Sequence, residues 1–230
     1  MSPKKLYPSK EIKNLLQISD CDLMHRRLLG KLDYEKKGAA FFYRLPDKKY
    51  LLNHPLADQL INWHQERHDA DIDNTPSDNE TKTLICDLLE QLLIPVQDEF
   101  GEIIITYGFT SAALNRYIQK NSPSGTCPSI DQHSGVERNK NNNVISERGG
   151  LACDFIVTDY GNKMGKVTKF IVENLTFDRL YYYGSDKPIH LSINDKPIKH
   201  LQIMNQSKTS RRIPGKKAYG TQAKLLAAEL

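Results

Sequence analysis

The feature that most constrains the fold is a change in hydrophobic pattern near Phe100. Before it, apolar residues recur mainly at helical spacing, as in the leucine-rich segment 84–93. After it, short apolar or β-branched runs alternate with helical segments. The runs that predict strands are residues 103–105, 151–157, 180–183 and 189–193, and the segments that predict helices are 112–118 and 167–175. This pattern favours an α+β fold, with a small, mostly antiparallel sheet, flanking helices and an α-rich N-terminal extension.

Three regions are predicted from the same pattern: an extension of mixed and helical character over 1–80, a core over 81–205 and a basic tail over 206–230. Inside the extension, strands are expected at 41–45 and 50–52. Pro55 occupies a plausible first helical position. Ser77 is expected to cap the next helix because Glu80 follows it at capping-box spacing. Pro95 should end or kink that helix.

Residues 120–150 are rich in Asn, Ser, Gly and Pro and predict a long loop. Loops of this length inside a compact domain are uncommon and often carry function. Ser111 is a suitable N-cap for the helix that precedes the loop. In the Tyr181-Tyr182-Tyr183 run, strand alternation places Tyr181 and Tyr183 on one face, where a ring could line a pocket.

Charge is unevenly placed along the chain. Residues 1–50 carry 12 Lys and Arg against 6 Asp and Glu, and residues 207–230 carry 6 against one. Solvated faces and a loose tail account for this. Contact with nucleic acid or an acidic partner through Lys208, Arg211, Arg212, Lys216 and Lys217 is the alternative, although no nucleic-acid motif accompanies it.

Several classes of protein are excluded or disfavoured. No apolar stretch is long enough for a membrane span, and no apolar segment follows the N-terminal charges as in a secretory signal. The four cysteines form no CxxC pair, which argues against a disulfide framework. The sequence contains no P-loop, dinucleotide fingerprint or serine nucleophile elbow. These features together predict a cytoplasmic protein.

Three side chains in the second half have the chemistry of metal ligands. His133 lies in D-Q-H-S-G, Asp154 in G-L-A-C-D-F and His190 in K-P-I-H-L-S-I. Two imidazoles and one carboxylate form a normal set for a catalytic Zn²⁺, leaving a fourth position for water. Asp154 interrupts an otherwise apolar strand, and a buried carboxylate needs a compensating charge. Cys153, its neighbour, should point to the opposite face as a core residue.

The order of these motifs resembles the hedgehog/D-alanyl-D-alanine peptidase superfamily over roughly residues 84–193. In that family a strand runs into S-G-Y-R-S-x-x-x-N, here T-Y-G-F-T-S-A-A-L-N. An S-x-H-x-x-G-x-A-x-D segment and a late strand histidine supply three zinc ligands, which the resemblance places at His133, Asp154 and His190. Gly108 and Asn115 match the first motif, and Gly150 and Ala152 match the second.

The chain departs from the family pattern at three places. Twenty residues separate His133 from Asp154, where the family has six, so the extra residues must loop out. The family arginine that grips a substrate carboxylate falls on Thr110, and Arg148 is a candidate replacement. The family general base falls on Lys187. Asp186, Glu147 and Glu137 are therefore the candidates for activating water.

The resemblance implies a zinc-dependent hydrolase of an amide or peptide bond, with Asp186 or Glu147 handling the proton. Tyr107, Thr110, Asn115 and Arg148 would line the substrate cleft. The absence of an export signal argues against peptidoglycan as substrate. The alternative is a catalytically degenerate descendant that binds a partner or nucleic acid.

A second metal hypothesis concerns residues 69–80. Asp69, Asp71, Asp73 and Glu80 occupy positions 1, 3, 5 and 12 of an EF-hand loop. Asn74 stands where that loop requires glycine. An acidic linker between two helices explains the same residues without calcium.

Overall fold

The computed structural model describes residues 6–16, 18–44, 48–68, 71–158, 162–207 and 212–230. The chain forms two compact units, Met1–Tyr50 and Leu51–Leu230. The boundary predicted from sequence lies thirty residues later, at 80/81. The difference arises because the helix Pro55–His68 packs on the first strand of the large sheet and so belongs to the second unit.

The first unit is a small α+β assembly. Its elements are β1 (Leu6–Pro8), α1 (Ser9–Leu16), α2 (Asp20–Leu28), β2 (Tyr34–Lys37) and β3 (Ala40–Arg44). The strands pair antiparallel in the order β1-β3-β2, around a core of Ile12, Leu23, Leu32 and Tyr43. The strand predicted at 41–45 is confirmed over 41–44 as part of β3, and residue 45 lies outside the described residues.

The second unit contains the long sheet and the remaining helices. A 3₁₀ helix (Lys48–Asn53) includes the boundary between the two units. The later elements in chain order are α3 (Pro55–His68), α4 (Asn79–Leu88), a π turn (Leu89–Leu93), α5 (Ile94–Phe100), β4 (Ile103–Tyr107), α6 (Ala112–Asn121), β5 (Leu151–Val157), α7 (Met164–Asn174), β6 (Arg179–Tyr182), β7 (Ile189–Ile193), β8 (His200–Gln206), β9 (Arg212–Tyr219) and α8 (Thr221–Ala227).

The six strands form one sheet in the order β4-β5-β7-β6-β8-β9, and every neighbouring pair is antiparallel except β6 and β8. The predicted class, α+β with a mostly antiparallel sheet and flanking helices, is confirmed at this level. Among the helices that the structure describes, none combines the length and the apolar character that crossing a membrane requires.

Alternation along β5 divides its side chains between two environments. Cys153, Phe155 and Val157 are fully buried in the main core, which α4 and α7 help to cover. Asp154 and Ile156 are only partly buried. Asp154 therefore belongs to the face opposite Cys153, as the sequence predicts.

Two local predictions are wrong. Residues 50–52 lie in the 3₁₀ helix and pair with no strand in the described part of the chain, and Leu51 packs into the main core. The cap of α4 is Asp78, whose side chain accepts a 2.7 Å bond from the Glu80 amide. Ser77 cannot serve as the cap because its amide and hydroxyl donate to the Glu137 carboxylate instead.

The C-terminal segment is ordered where the structure describes it. After residue 211 the chain forms β9 at the sheet edge and then α8, which buries Ala223, Leu226 and Ala227. The expectation of a loose tail is therefore wrong for this part. Its basic residues share the segment with small apolar residues that pack on the core.

Candidate metal site and adjoining cavity

One face of the sheet carries a continuous row of polar and aromatic side chains. Tyr107, Asp154, His190, Tyr181 and Gln202 are register partners on five adjacent strands, β4, β5, β7, β6 and β8. Directly paired residues in a sheet present their side chains on the same face. The sheet register alone therefore brings the predicted ligands Asp154 and His190 together, with His190 Nδ1 2.9 Å from Asp154 Oδ1.

His133 reaches this row from the site loop, which we define as residues 122–150. Its Nε2 lies 3.6 Å from Asp154 Oδ1, and its ring meets that of His190 edge to face at 5.1 Å. The long insertion between His133 and Asp154 loops out as predicted. The loop contains no helix or strand, only an isolated bridge between Arg138 and Val144.

Buried polar contacts fix the start of the loop. Gln132 is fully buried and adopts a left-handed conformation with φ of +65°. Its side-chain amide nitrogen donates to the Asp178 carboxylate at 3.0 Å and to the Gly149 carbonyl at 2.7 Å. Its backbone carbonyl accepts from the Ala152 backbone amide. Left-handed backbone costs a non-glycine residue about 1–2 kcal/mol. These bonds offset that cost and orient the next residue, His133.

The first motif of the resemblance packs behind the site. Gly108 runs so close to α3 that an added Cβ would lie 2.2 Å from the Leu60 carbonyl oxygen. The Thr110 amide donates to the His133 carbonyl. Thr110 is 3% exposed, so it supports the histidine through its backbone and does not reach the cavity.

The three predicted ligands satisfy a geometric test for a shared cation. One donor atom from each residue lies within 4.8 Å of the other two. Tetrahedral Zn²⁺ with bonds of 2.0–2.1 Å separates its ligand atoms by about 3.3 Å. The two distances to Asp154 Oδ1, 2.9 and 3.6 Å, bracket this value. The chemistry and spacing of His133, Asp154 and His190 therefore fit a divalent cation.

The electrostatic surroundings of His133 and Asp154 favour a neutral imidazole and an ionised carboxylate. Burial lowers the pKa of His133 despite the nearby Asp154. Burial acts to raise the pKa of Asp154, but the hydrogen bond from His190 and the adjacent histidines outweigh it and hold the pKa below its ordinary value. Neutral imidazole and ionised carboxylate are the forms that bind metals.

A cavity of about 360 Å³ opens beside the trio. Its walls come from the end of β4, the site loop and strands β5 to β9. The lining residues are Tyr107, Gly125, Thr126, Cys127, Ile130, Asp131, His133, Arg148, Asp154, Tyr181, Tyr183, His190, His200, Gln202, Met204, Arg212 and Pro214. This volume lies within the usual range of small-molecule sites.

The four predicted substrate-binding residues divide into two pairs. Tyr107 lines the cavity with its ring 4.5 Å from that of His133, and Arg148 lines it while donating a 2.8 Å bond to the Tyr181 hydroxyl. Thr110 and Asn115 are not among the lining residues. Asn115 lies on α6, which begins at the Ser111 cap as predicted.

The predicted proton-handling residues also lie away from the cavity. Asp186 is exposed and paired with Lys187 at 2.8 Å, and Glu147 is an exposed loop residue. Glu137 is buried, and its carboxylate is occupied by Ser77 and by the Asp78 amide. All three candidates for activating water are thus placed elsewhere.

Asp131 is the carboxylate that sequence reasoning missed. It lines the cavity two residues before His133 and accepts hydrogen bonds from the amides of His133 and Cys127. Apart from Asp154, no other carboxylate lines the cavity within the described ranges. The signal was present in the D-Q-H segment, but a polar loop shows no periodicity that would orient Asp131.

In the segment 69–80, for which calcium binding was one hypothesis, Asn74 has a structural role. Asp69 lies outside the described residues. Asn74 is buried, donates to the carbonyls of Ile61 and Phe109 and accepts from the Ser111 amide. It ties α3 to the start of α6. Asp73 accepts from the Thr75 amide in a local turn.

The basic residues proposed for nucleic acid are only partly described. Lys208 and Arg211 lie outside the described residues. Arg212, Lys216 and Lys217 lie on β9, where Arg212 lines the cavity. Arg212 thus has a second candidate role, near the proposed metal.

Comparisons of the chain with protein-family models, with curated proteins and with solved structures find no match. The resemblance described above therefore rests on the quoted motifs and their order.

Proposed function

We propose that the protein is a zinc-dependent hydrolase that cleaves an amide or peptide bond. The observation that carries this proposal is the convergence of His133, Asp154 and His190 at the wall of a substrate-sized cavity. Their donor set is typical of catalytic Zn²⁺ with one open position. The cytoplasm remains the predicted compartment, and peptidoglycan is not the proposed substrate.

Bound Zn²⁺ would supply a Lewis acid and lower the pKa of a coordinated water towards about 7. The protein's own residues then have definable tasks. Asp131 would accept the water proton and return it to the leaving nitrogen, so that a C–O bond forms, the C–N bond breaks and no net proton is lost. The two hydrogen bonds that the Asp131 carboxylate accepts from backbone amides fix its position, and they leave lone pairs free for this role.

Aromatic packing would keep the ligands oriented. Tyr181 stacks on His190 with ring centres 4.8 Å apart and an interplanar angle of 14°, and Arg148 donates a hydrogen bond to the Tyr181 hydroxyl. Tyr107 packs between His133 and Trp63. Rings fixed on both sides of the ligands resist the displacement that would weaken a coordination site.

Metal content of protein purified without chelators is the first test. We expect about one zinc per chain in the wild type and less than a tenth of that in Asp154→Asn, because one of three ligands loses its charge. Asp195→Asn, an exposed aspartate after β7, is the matched control and should retain zinc. Equal zinc content in all three proteins would refute the metal site.

Activity requires a second variant. With zinc-loaded protein and a library of fluorogenic peptides, Asp131→Asn should keep its zinc and lose about 10²-fold or more in rate. Asp186→Asn and Glu147→Gln should stay near the wild-type rate, because both side chains are exposed and neither lines the cavity. Loss of rate in Asp186→Asn instead would assign the general base to Asp186, one residue before the position on which the family base falls, Lys187.

A catalytically degenerate peptidase-like fold that binds a partner or nucleic acid is the second candidate. The position of Asp186 and Glu147 outside the cavity, together with Thr110 in place of the expected guanidinium, favours it. A zinc-replete wild type that cleaves no peptide in the library, with Asp131→Asn indistinguishable from it, would select this alternative.

A further inference from the structure

The cavity has a cationic side that the metal hypothesis does not use. We define it by Arg148 on the site loop, His200 at the start of β8 and Arg212 at the start of β9, all of which line the cavity. The sheet order places β8 and β9 on the far side of β6 from the ligand strands β5 and β7. The cavity thus joins an acidic, ligand-bearing wall to a basic one.

The two arginines of this side are held by neutral groups. Arg148 donates to the Tyr181 hydroxyl, and the Arg212 guanidinium lies 4.1 Å from the centre of the Tyr183 ring. Within the part of the chain that the structure describes, neither forms an ion pair with a carboxylate. A hydroxyl and a π face orient a guanidinium without cancelling its charge. Both guanidinium groups therefore keep donors for an anion, and the charge of Arg212 also helps to lower the pKa of Asp154.

His200 adds an unmatched donor. It is 6% exposed, and its ring is fixed between Tyr219, stacked at 4.5 Å, and the edge of Tyr181. Arg179 Nη1 lies 3.4 Å from its Nδ1. A guanidinium can only donate, so Nδ1 accepts and the ring proton lies on Nε2. Nε2 is buried and has no partner among the described residues.

The electrostatic field at His200 has the sign expected for an anion site. Burial lowers the pKa of His200 to about 4, and the charges of Arg179, Lys217 and Arg148 act in the same direction, while Asp178 opposes them. A site that resists one more positive charge favours a negative one. A buried donor left unpaired is also unfavourable, and an acceptor atom on a ligand would relieve that cost.

From this arrangement we propose that Arg148, Arg212 and His200 bind an anionic group of the substrate, a carboxylate or a phosphate, while the scissile amide lies at the metal-ligand wall. That the anion belongs to a hydrolysed substrate rests on the proposed function, whereas the binding of an anion by these three residues does not. Guanidinium groups suit both anions because they donate paired, charge-assisted hydrogen bonds.

Binding of matched probes to zinc-loaded wild-type protein tests the proposal without requiring turnover. The probes are N-acetyl-glycyl-alanine with a free carboxylate, the same dipeptide as its C-terminal amide, and N-acetyl-phosphoserine amide. Calorimetry should give at least about tenfold tighter binding for one or both anionic probes than for the neutral amide, and the two anionic probes together distinguish carboxylate from phosphate. Equal affinities for all three probes would overturn the proposal.

Variants then locate the anion. Arg148→Gln and Arg212→Gln, each loaded with zinc to the wild-type content, should each reduce the preference for the anionic probe about fivefold or more. Arg138→Gln is the matched control, because Arg138 is an exposed arginine of the site loop that does not line the cavity. An equal loss of anion preference in Arg138→Gln would mean that the preference arises from positively charged residues of the loop in general and not from the cavity arginines. A preference that survives both cavity variants but disappears on removing zinc would assign it to the metal; either result contradicts the subsite.

The outcomes separate the two proposals. Anion preference without hydrolysis of any peptide would remove the proposed function and leave the subsite. Zinc-dependent hydrolysis with no anion preference would remove the subsite and leave the function. Thermal unfolding of each variant establishes that it is folded, and the comparison of probes on the wild type stands even if a variant is not.

Discussion

The proposed metal site draws on two regions that are stabilised in different ways. Asp154 and His190 are cross-strand partners in the middle of a six-stranded sheet, and each strand buries its other face in the main core. His133 and Asp131 belong to the site loop, which no strand ladder holds. Their positions depend on a few side-chain bonds, chiefly those of Gln132, Asp178 and Asp131 itself.

This difference predicts separable responses to mutation. Damage beneath the sheet should unfold the second unit as a whole, because the ligands share its core. Damage to the loop bonds should displace one ligand while most of the core persists, since local segments can open at less cost than the whole domain. A substitution in the core should therefore mainly lower the free energy of unfolding, whereas a substitution in the loop should lower metal affinity more than its effect on stability would suggest.

The largest expected effect comes from truncating Phe155, which follows Asp154 and is fully buried on the core side of β5. Phe155→Ala should lower the free energy of unfolding by about 3–5 kcal/mol through lost burial and a cavity. Denaturant unfolding measures it. Ile156→Ala, a partly buried neighbour on the other face, is the control and should cost clearly less. Equal losses would contradict the assignment of β5 faces.

Asp178→Asn should act mainly on the loop. The carboxylate is 2% exposed and accepts bonds from the Gln132 side chain and the Ile198 amide. An amide cannot accept both bonds equally well, so we expect a loss of about 2–4 kcal/mol in stability. Zinc affinity should fall about tenfold or more because His133 loses its orientation.

Competition with a zinc chelator measures this affinity. Asp195→Asn, on the exposed turn after β7, should leave both quantities within the error of the wild type. Full zinc affinity in a destabilised Asp178→Asn protein would mean that His133 is positioned without the Gln132 contact.

Glu137→Gln sharpens the comparison within the loop. This buried carboxylate accepts from the Ser77 and Asp78 amides at the N-terminus of α4, where negative charge is favourable. We expect a loss of about 1–2 kcal/mol, with faster hydrogen exchange at both amides. Glu147→Gln, an exposed residue of the same loop, should change stability by less than about 0.5 kcal/mol. A similar loss in both variants would show that loop charge in general is responsible.

The smallest effect at neutral pH concerns His200. Burial and neighbouring cations lower its folded-state pKa to about 4, while an unfolded histidine titrates near 6.5. Protons therefore bind the unfolded chain first, and His200 removes stability as pH falls from 6.5 to about 4. His200→Gln should have a shallower decline over this window, measured by denaturant midpoints at several pH values. Parallel curves for wild type and variant would refute this contribution.

Strand alternation explains which parts of the site could be predicted from sequence. It places Asp154 on the face opposite Cys153 and places Tyr181 and Tyr183 together, and both rings line the cavity. Alternation does not give strand order, however. That β8 pairs with β6 in parallel, bringing His200 and Gln202 beside Tyr181, depends on non-local contacts.

Loop residues were harder for the same reason. Glu137, Glu147 and Asp131 all lie in or beside one polar, aperiodic segment, and nothing local distinguishes a helix-capping carboxylate from an exposed one or one facing a cavity. Asp186 sits in the turn before β7, where its exposure depends on how that turn folds back. The position of such a carboxylate can depend on a hydrogen-bond partner far away in the sequence. Ser77 and Glu137, for example, are sixty residues apart.

The amino-acid sequence by itself determined the α+β class, the central strands and the chemical identity of three candidate ligands, because periodicity and residue type are local properties. Tertiary structure alone decided that Asp131 faces the cavity, that Asp186 and Glu147 do not, and that two arginines and a histidine form its opposite wall. The physical reason is that burial, strand order and hydrogen-bond pairing join residues distant along the chain, so no window of sequence contains them.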